Sequence, residues 1–426
     1  MSPGPRIYAD YNATAPLCSQ AKAAVLRALE MTGNPSSVHG EGRTARTLIE
    51  AARESVAAAI GACRDDIAFT SGGTEAVGAA LRGAMAAKGA GASLLTSAIE
   101  HDAVASYAVE LDSTEAGPRK ITAPWLESSV TTPLPRHDNV PHAGAYGLDI
   151  WPVQADGRVD LEFLRIIMKG FRGAPMEAPK PLVSLMLVNN ETGVIQPVAE
   201  AAEIVHAAGG LIHCDAIQAL GKITTSVIDL DVDYLSISAH KIGGPQGVGA
   251  FYVKPGAPFR AVQTGGGQEF GRRAGTENVA GIAGFGAGVE AAVAGIARYE
   301  ALRPARDRME AQLKRAAPAL VVHGQTAPRV AGVSCFGLEG LPAETQIMGL
   351  DLAGFAVSVG SACSSGKVKP SRVLTAMGLD DTAARSAIRA SFGWASVWQE
   401  FDALAEAWIK MAARARPQLM NVDAHV

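Results

Sequence analysis

Between Ile67 and Val253 the chain alternates short apolar runs with Ala-rich stretches of helical period, and few folds accept that pattern. The runs are Ile67–Thr70, Ser93–Ser97, Val183–Val188, Leu211–Cys214, Tyr234–Ser238 and Ala250–Val253, separated by stretches such as Thr74–Lys88 and Val198–Ala208. Strands that are apolar on both faces must be covered on both faces. The alternation therefore predicts an α/β domain with a mostly parallel sheet covered by helices. The Gly-rich stretch Thr264–Gly271 reads as a break. Beyond it, an Ala-rich helix, a second helix around Arg303–Ala317, strands at Gly332–Phe336 and Ala387–Phe392, and a helix ending near Ala415 predict a smaller α+β domain. The expected division is a large domain over 15–264 and a small one made of 1–14 and 265–426.

With 426 residues, 48% of them hydrophobic and 19% charged, the chain can bury a sizeable core. Lys and Arg total 38 against 42 Asp and Glu, a net charge of −4, and no basic run with interleaved aromatics suggests a nucleic-acid surface. Met1–Tyr8 lacks the basic stretch and apolar core of a signal peptide. Val279–Ala297 is long and almost uncharged, but its Ala and Gly content and the mid-span Glu290 fit a buried helix better than a membrane span. Cys18, Cys63, Cys214, Cys335 and Cys363 form no CxxC pair, so neither a disulfide framework nor a zinc site is expected, and a cytoplasmic location fits best. Residues 112–150 hold Pro118, Pro124, Pro133, Pro135 and Pro141 with no clear period, which predicts a surface insertion.

In open α/β sheets, ligands bind beyond the carboxyl ends of the strands. Here the strand candidates run into Ser71-Gly72-Gly73-Thr74-Glu75, Glu100-His101-Asp102, Asn189-Asn190-Glu191-Thr192-Gly193, Asp215-Ala216-Ile217-Gln218 and Ala239-His240-Lys241. One such cluster could be a turn; five on one sheet edge predict a site. Ser71-Gly72-Gly73-Thr74 opens a helix whose free N–H groups and dipole suit a phosphate, although a plain N-cap would read the same way. Asp215 ends a strand, where a carboxylate is costly unless paired with a cation such as a protonated pyridine nitrogen; an Asp capping a turn is an equal alternative. Lys241 stands in an otherwise uncharged run from Ser236 to Val253, where desolvation would favour a Schiff-base amine, against the ordinary case of a lysine reaching to solvent. Cys363 lies in Gly360-Ser361-Ala362-Cys363-Ser364-Ser365-Gly366 with Lys367 and Lys369 nearby, a setting for an exposed thiol of lowered pKa.

Taken together, these residues resemble the NifS/IscS-like cysteine desulfurases, in the class V branch of the fold-type I pyridoxal-phosphate (PLP) enzymes. The likeness also runs through Tyr8-Ala9-Asp10-Tyr11-Asn12-Ala13-Thr14, Asn34-Pro35-Ser36-Ser37-Val38-His39, Gly265-Gly266-Gly267-Gln268-Glu269, Gly275-Thr276-Glu277-Asn278 and Ile388-Arg389-Ala390-Ser391-Phe392-Gly393. By that resemblance Lys241 holds PLP as a Schiff base, Asp215 pairs with the pyridine nitrogen and His101 stacks on the ring. Asn190 and Gln218 would contact the 3′-oxygen side, and Gly73, Thr74, Ser238 and His240 the phosphate. Thr276 would reach a phosphate in a second subunit, implying a homodimer. Arg389, with Asn190, would bind the substrate. The implied reaction converts L-cysteine to L-alanine and leaves sulfur on Cys363 as a persulfide, for a sulfur-acceptor protein in iron–sulfur, cofactor or tRNA biosynthesis. A selenocysteine lyase or another class V aminotransferase is the alternative. Tyr11 stands where many relatives have a small polar residue, and the 112–150 segment looks longer than the usual connection.

Overall fold

The structure is a computed structural model that describes residues 6–88, 93–113, 150–171, 181–359 and 370–421. The expected insertion lies almost wholly outside them. Twelve strands occur among the described residues: β1 (Ile7–Tyr8), β2 (Ile67–Thr70), β3 (Leu94–Ser97), β4 (Ile150–Trp151), β5 (Leu182–Met186), β6 (Leu211–Asp215), β7 (Tyr234–Ser238), β8 (Gly249–Val253), β9 (Val321–Val322), β10 (Val333–Gly337), β11 (Phe355–Ala356) and β12 (Ala387–Ser391). Seven of them form one sheet in the order β2-β8-β7-β6-β5-β3-β4.

Only β8 runs against the others. The carboxyl ends of β2, β3, β5, β6 and β7 therefore share one edge, and the five polar clusters expected from the sequence lie along it. β2, β3, β5, β7 and β8 are buried at every residue, as their apolar runs require. In the middle of this sheet His213, Ser184 and Ser236 are paired with one another. Hydrogen bonds of 2.9 Å join His213 Nδ1 to Ser184 Oγ and His213 Nε2 to Ser236 Oγ, crossing from β5 to β7. Burial drives the His213 pKa down to about 3, so this imidazole is a neutral strut.

Among the described residues no single helix is long and apolar enough to cross a bilayer. Helix Val279–Ala294 instead packs against helices Ser19–Leu29 and Gly40–Ile60. Its glycines explain its composition. A Cβ on Gly284 would sit 2.5 Å from Val25 Cγ2, and one on Gly286 would sit 2.7 Å from Ala52 Cα. The mid-helix Glu290 faces outward and accepts a hydrogen bond from Ser55 Oγ at 2.6 Å.

A second sheet, β12-β10-β9, is antiparallel and lies against helices Arg303–Ala316 and Trp398–Ala415. The N-terminal strand β1 pairs with β11, and Asp10 bridges to Ser391 at the end of β12. The segment after β1 is thereby delivered from the C-terminal part of the molecule to the carboxyl edge of the large sheet. The Gly-rich break is anchored too: Glu269 accepts from Arg53 Nη1 and Nη2 (2.5 and 3.0 Å) and from the Phe69 N–H (2.8 Å), all buried.

Candidate active site

Each strand end contributes through its own local geometry. Asp215 is the last residue of β6, and its carboxylate caps the following turn by accepting from the Ile217 N–H at 3.0 Å. Ser238 ends β7 and leads into a single 3-10 turn, Ala239–Lys241, which brings His240 and Lys241 back over the sheet edge. Helix Gly73–Lys88 begins directly against them. A Cβ on Gly73 would lie 2.6 Å from Ile217 Cδ1 and 3.2 Å from Ser238 Cβ, so only glycine lets the helix start sit this close.

Lys241 presents its amine at this edge. Its Nζ donates to the backbone carbonyls of Asn12 (2.7 Å) and Ala13 (2.9 Å) and, among the described residues, to no carboxylate. Burial, helped by the Arg389 guanidinium, lowers its pKa from 10.5 to about 8, with Asp10 and Asp215 acting in the opposite sense. As pH rises through about 8 the ammonium gives up its proton, so a nucleophilic amine forms far below the usual lysine range. Competitive labelling of the cofactor-free chain, mapped by peptide mass spectrometry, is expected to give half-maximal Lys241 reactivity near pH 8, with exposed lysines near 10.5. A midpoint above 10 would contradict the burial argument.

Asp215 faces this amine as a buried carboxylate with no salt bridge among the described residues. Burial raises its pKa, while the Ile217 N–H, His101 and Lys241 work to lower it. Nearby polar atoms are likewise buried without a partner: Ser238 Oγ, Asn190 Oδ1 and Arg389 Nε. Such groups are costly in a finished core and ordinary in a site built for a ligand. The first N–H groups of helix Gly73–Lys88 have no intrahelical acceptor, and Ser238 Oγ lies beside them, an arrangement suited to a phosphate. Thr74 is exposed at this helix start. His240 Nδ1 lies 3.2 Å from Thr14 Oγ1, and burial, with Lys241, lowers its pKa to about 4, leaving a neutral ring. His101 is exposed at the start of helix Asp102–Ser113, where its Nδ1 accepts from the Ala103 N–H at 3.1 Å, which leaves Nε2 to carry the proton. The donors, the unpaired carboxylate and the activated amine fit PLP.

Arg389 lies in the middle of β12 and is 5% exposed. Its Nη1 donates to the Asn190 carbonyl (3.0 Å) and its Nη2 to Asp10 Oδ1 (2.7 Å). It is thus a buried, held guanidinium and not a solvated surface charge, with Nε still to be satisfied. Ser358 exchanges both backbone hydrogen bonds with Arg389, and Ser371 Oγ donates to the buried Glu191 at 2.5 Å. Cys363 lies between those two anchors, outside the described residues. Thr276 is exposed.

Sequence reasoning missed three contributors. Asn12 donates from Nδ2 to the Asn190 carbonyl (3.0 Å), and its own carbonyl also accepts from Gln218 Nε2 (2.9 Å). Lys222 Nζ is buried at 2.6 Å from both Asn12 Oδ1 and Gln218 Oε1. Glu100 clasps β3 to β5, accepting from Ser97 Oγ (2.7 Å) and the Met186 N–H (2.9 Å). Burial, with Asp215 nearby, raises its pKa to about 8, so it is largely protonated at neutral pH. A charged residue flanked by apolar ones, as in Ala219-Leu220-Gly221-Lys222-Ile223, was the available signal for Lys222.

This chain matches the aminotransferase class-V family over residues 7–122 and 140–404. A cysteine desulfurase of Cereibacter sphaeroides is 40% identical over 403 residues, covering 94% of each chain. Cysteine desulfurase IscS of Dictyoglomus turgidum is 37% identical over 91% of this chain and 89% of that one. Among solved structures, a NifS-like protein from Rickettsia africae superposes with a TM-score of 0.78 at 28% identity, covering 95% of this chain and 99% of the other.

Proposed function

Because the chain belongs to the aminotransferase class-V family and matches relatives named cysteine desulfurase over nearly their whole length, we propose that it is a PLP-dependent cysteine desulfurase. The single observation that carries the reading is the pairing of an amine of lowered pKa, Lys241, with a buried carboxylate, Asp215, that makes no salt bridge among the described residues. PLP, when bound, supplies a protonated ring that stabilises negative charge at the substrate Cα.

The chain's own residues then have distinct tasks. Lys241 would hold the cofactor through its Nζ, and the same amine is placed to carry the substrate Cα proton. Asp215 keeps the pyridine nitrogen protonated, and His101 covers the ring face. Gly73, Thr74, Ser238 and His240 hold the phosphate, with Thr276 reaching the phosphate of a second subunit in a homodimer. Asn190 and Gln218 flank the 3′-oxygen. Arg389 orients the substrate carboxylate, for which its fork geometry is suited. The Cys363 thiolate attacks the sulfur of L-cysteine: an S–S bond forms, the substrate C–S bond breaks, and the carbon left behind is protonated to give L-alanine. The persulfide passes to a sulfur-acceptor protein that feeds iron–sulfur cluster assembly or a related sulfur-using pathway. The expected arrangement, a cofactor-holding domain over 15–264 and a smaller one of 1–14 and 265–426 carrying Cys363, suits that transfer, as does a cytoplasmic setting that keeps the thiol reduced.

The test is turnover by purified protein supplied with PLP. L-cysteine with a reductant is expected to give alanine and sulfide in equal amounts. Turnover of selenocysteine with L-cysteine inert would support the lyase alternative. Amino-group transfer to a keto acid without sulfide would support an aminotransferase, and either result would overturn the desulfurase reading.

A further inference from the structure

Lys222 is 6% exposed, and among the described residues its Nζ hydrogen-bonds to two amide oxygens, Asn12 Oδ1 and Gln218 Oε1, each at 2.6 Å. With Lys241 it lines a cavity of about 30 Å³ whose other walls include Tyr11, Ile242, Tyr299 and Trp394. Burying an amine without a carboxylate is costly, and an aliphatic side chain of similar length would fill the space at lower cost. What the amine supplies is orientation. Burial, with the Lys241 and Arg389 charges, pushes the Lys222 pKa well below the usual lysine range. Charged or neutral, an amine that donates to both amide oxygens holds the two amides with their oxygens toward it and their N–H groups pointing elsewhere. Asn12 Nδ2 accordingly donates to the Asn190 carbonyl, and Gln218 Nε2 to the Asn12 carbonyl. With Oε1 turned toward Lys222 and one N–H given to the Asn12 carbonyl, Gln218 keeps a second N–H to offer a ligand.

We propose that Lys222 is a positioning residue that locks the Gln218 amide, so that an N–H and not a carbonyl faces the ring oxygen of the bound cofactor. The inference rests on the reading of this edge as a PLP site. An N–H donated to the ring oxygen stabilises its anionic form and weakens that oxygen's hold on the proton of the adjoining lysine linkage. The visible band of the bound cofactor then loses its proton at lower pH than it would without Gln218. The other charged and titratable groups around the ring, Asp215, Lys241, His240, His101, Arg389 and Asp10, stay in place in a Lys222 variant.

The experiment is a spectrophotometric pH titration of the PLP-loaded protein without substrate. Lys222→Met is expected to move the midpoint of the visible band upward by about one pH unit, the scale of one hydrogen bond to a charged group. Lys222→Gln, which can still donate to one of the two oxygens, is expected to recover part of the shift, and it carries the comparison alone if the Met variant does not fold. In a Gln218→Ala background, Lys222→Met is expected to produce no further shift, because partners acting as a unit are non-additive. An unmoved midpoint in both Lys222 variants, or an equal shift in the Gln218→Ala background, would overturn the proposal. Absence of any visible band in wild-type protein given PLP would instead overturn the cofactor reading on which it rests.

Discussion

Lys241→Ala is expected to abolish covalent attachment of PLP and to lower alanine formation from L-cysteine about a thousandfold or more. Two tasks are lost together. The variant has no amine to anchor the cofactor, and no group of suitable pKa to carry the Cα proton, a role worth about 10²–10⁴-fold by itself. The low pKa of about 8 makes Lys241 the better nucleophile among ordinary lysines at neutral pH. Folding should be little affected, because its partners are two backbone carbonyls that water can satisfy. Borohydride treatment and peptide mapping give the decisive comparison: reduced PLP on the Lys241 peptide in wild type and none there in the variant. Alanine production within tenfold of wild type would contradict the assignment.

The parts of the molecule legible in the sequence are those encoded locally. β2, β3, β5, β6, β7 and β8 were visible within a residue or two because each is a short apolar run buried on both faces. The site edge followed from what comes after each run, so Asp215 and Lys241 could be singled out before any contact was known. The Gly and Ala content of Val279–Ala294 marked a buried helix, although which helices it packs against was not encoded in its period.

What stayed hidden depends on contacts distant in the chain. Asn12 meets Gln218 and Lys222 across 206 and 210 positions, and Asp10 meets Arg389 across 379. No spacing rule reaches that far. The N-terminal segment matters because β1 pairs with β11 and Asp10 bridges to β12, topological facts that hydrophobic period does not carry. Arg389 had the same difficulty: from sequence alone it reads as a surface charge, and only the β12 register places it over the Asn190 carbonyl. Glu100 stood in one of the strand-end polar clusters, but its raised pKa comes from burial between two strand ends and was not encoded locally.

The central claim is that Cys363 takes sulfur from L-cysteine, and the four described cysteines sharpen its test. Cys214 and Cys335 are buried in strands, and burial pushes both thiols well above their ordinary pKa, so neither supplies a thiolate. Cys18 is 3% exposed, and its sulfur accepts the Ala21 N–H at a helix start. Cys63 is exposed but precedes β2, at the amino end of the sheet and away from the site edge. Cys363→Ser keeps the side-chain size but replaces the thiolate with a hydroxyl that stays protonated, and alanine formation is expected to fall about a thousandfold while PLP still binds. The most direct measurement is mass spectrometry of PLP-loaded wild-type protein after brief exposure to L-cysteine without reductant. One added sulfur atom is expected in the peptide containing Ala362-Cys363-Ser364, and none in the Ser variant. Sulfur mapped to Cys63 or another of these four cysteines, or wild-type turnover by Cys363→Ser, would contradict the mechanism.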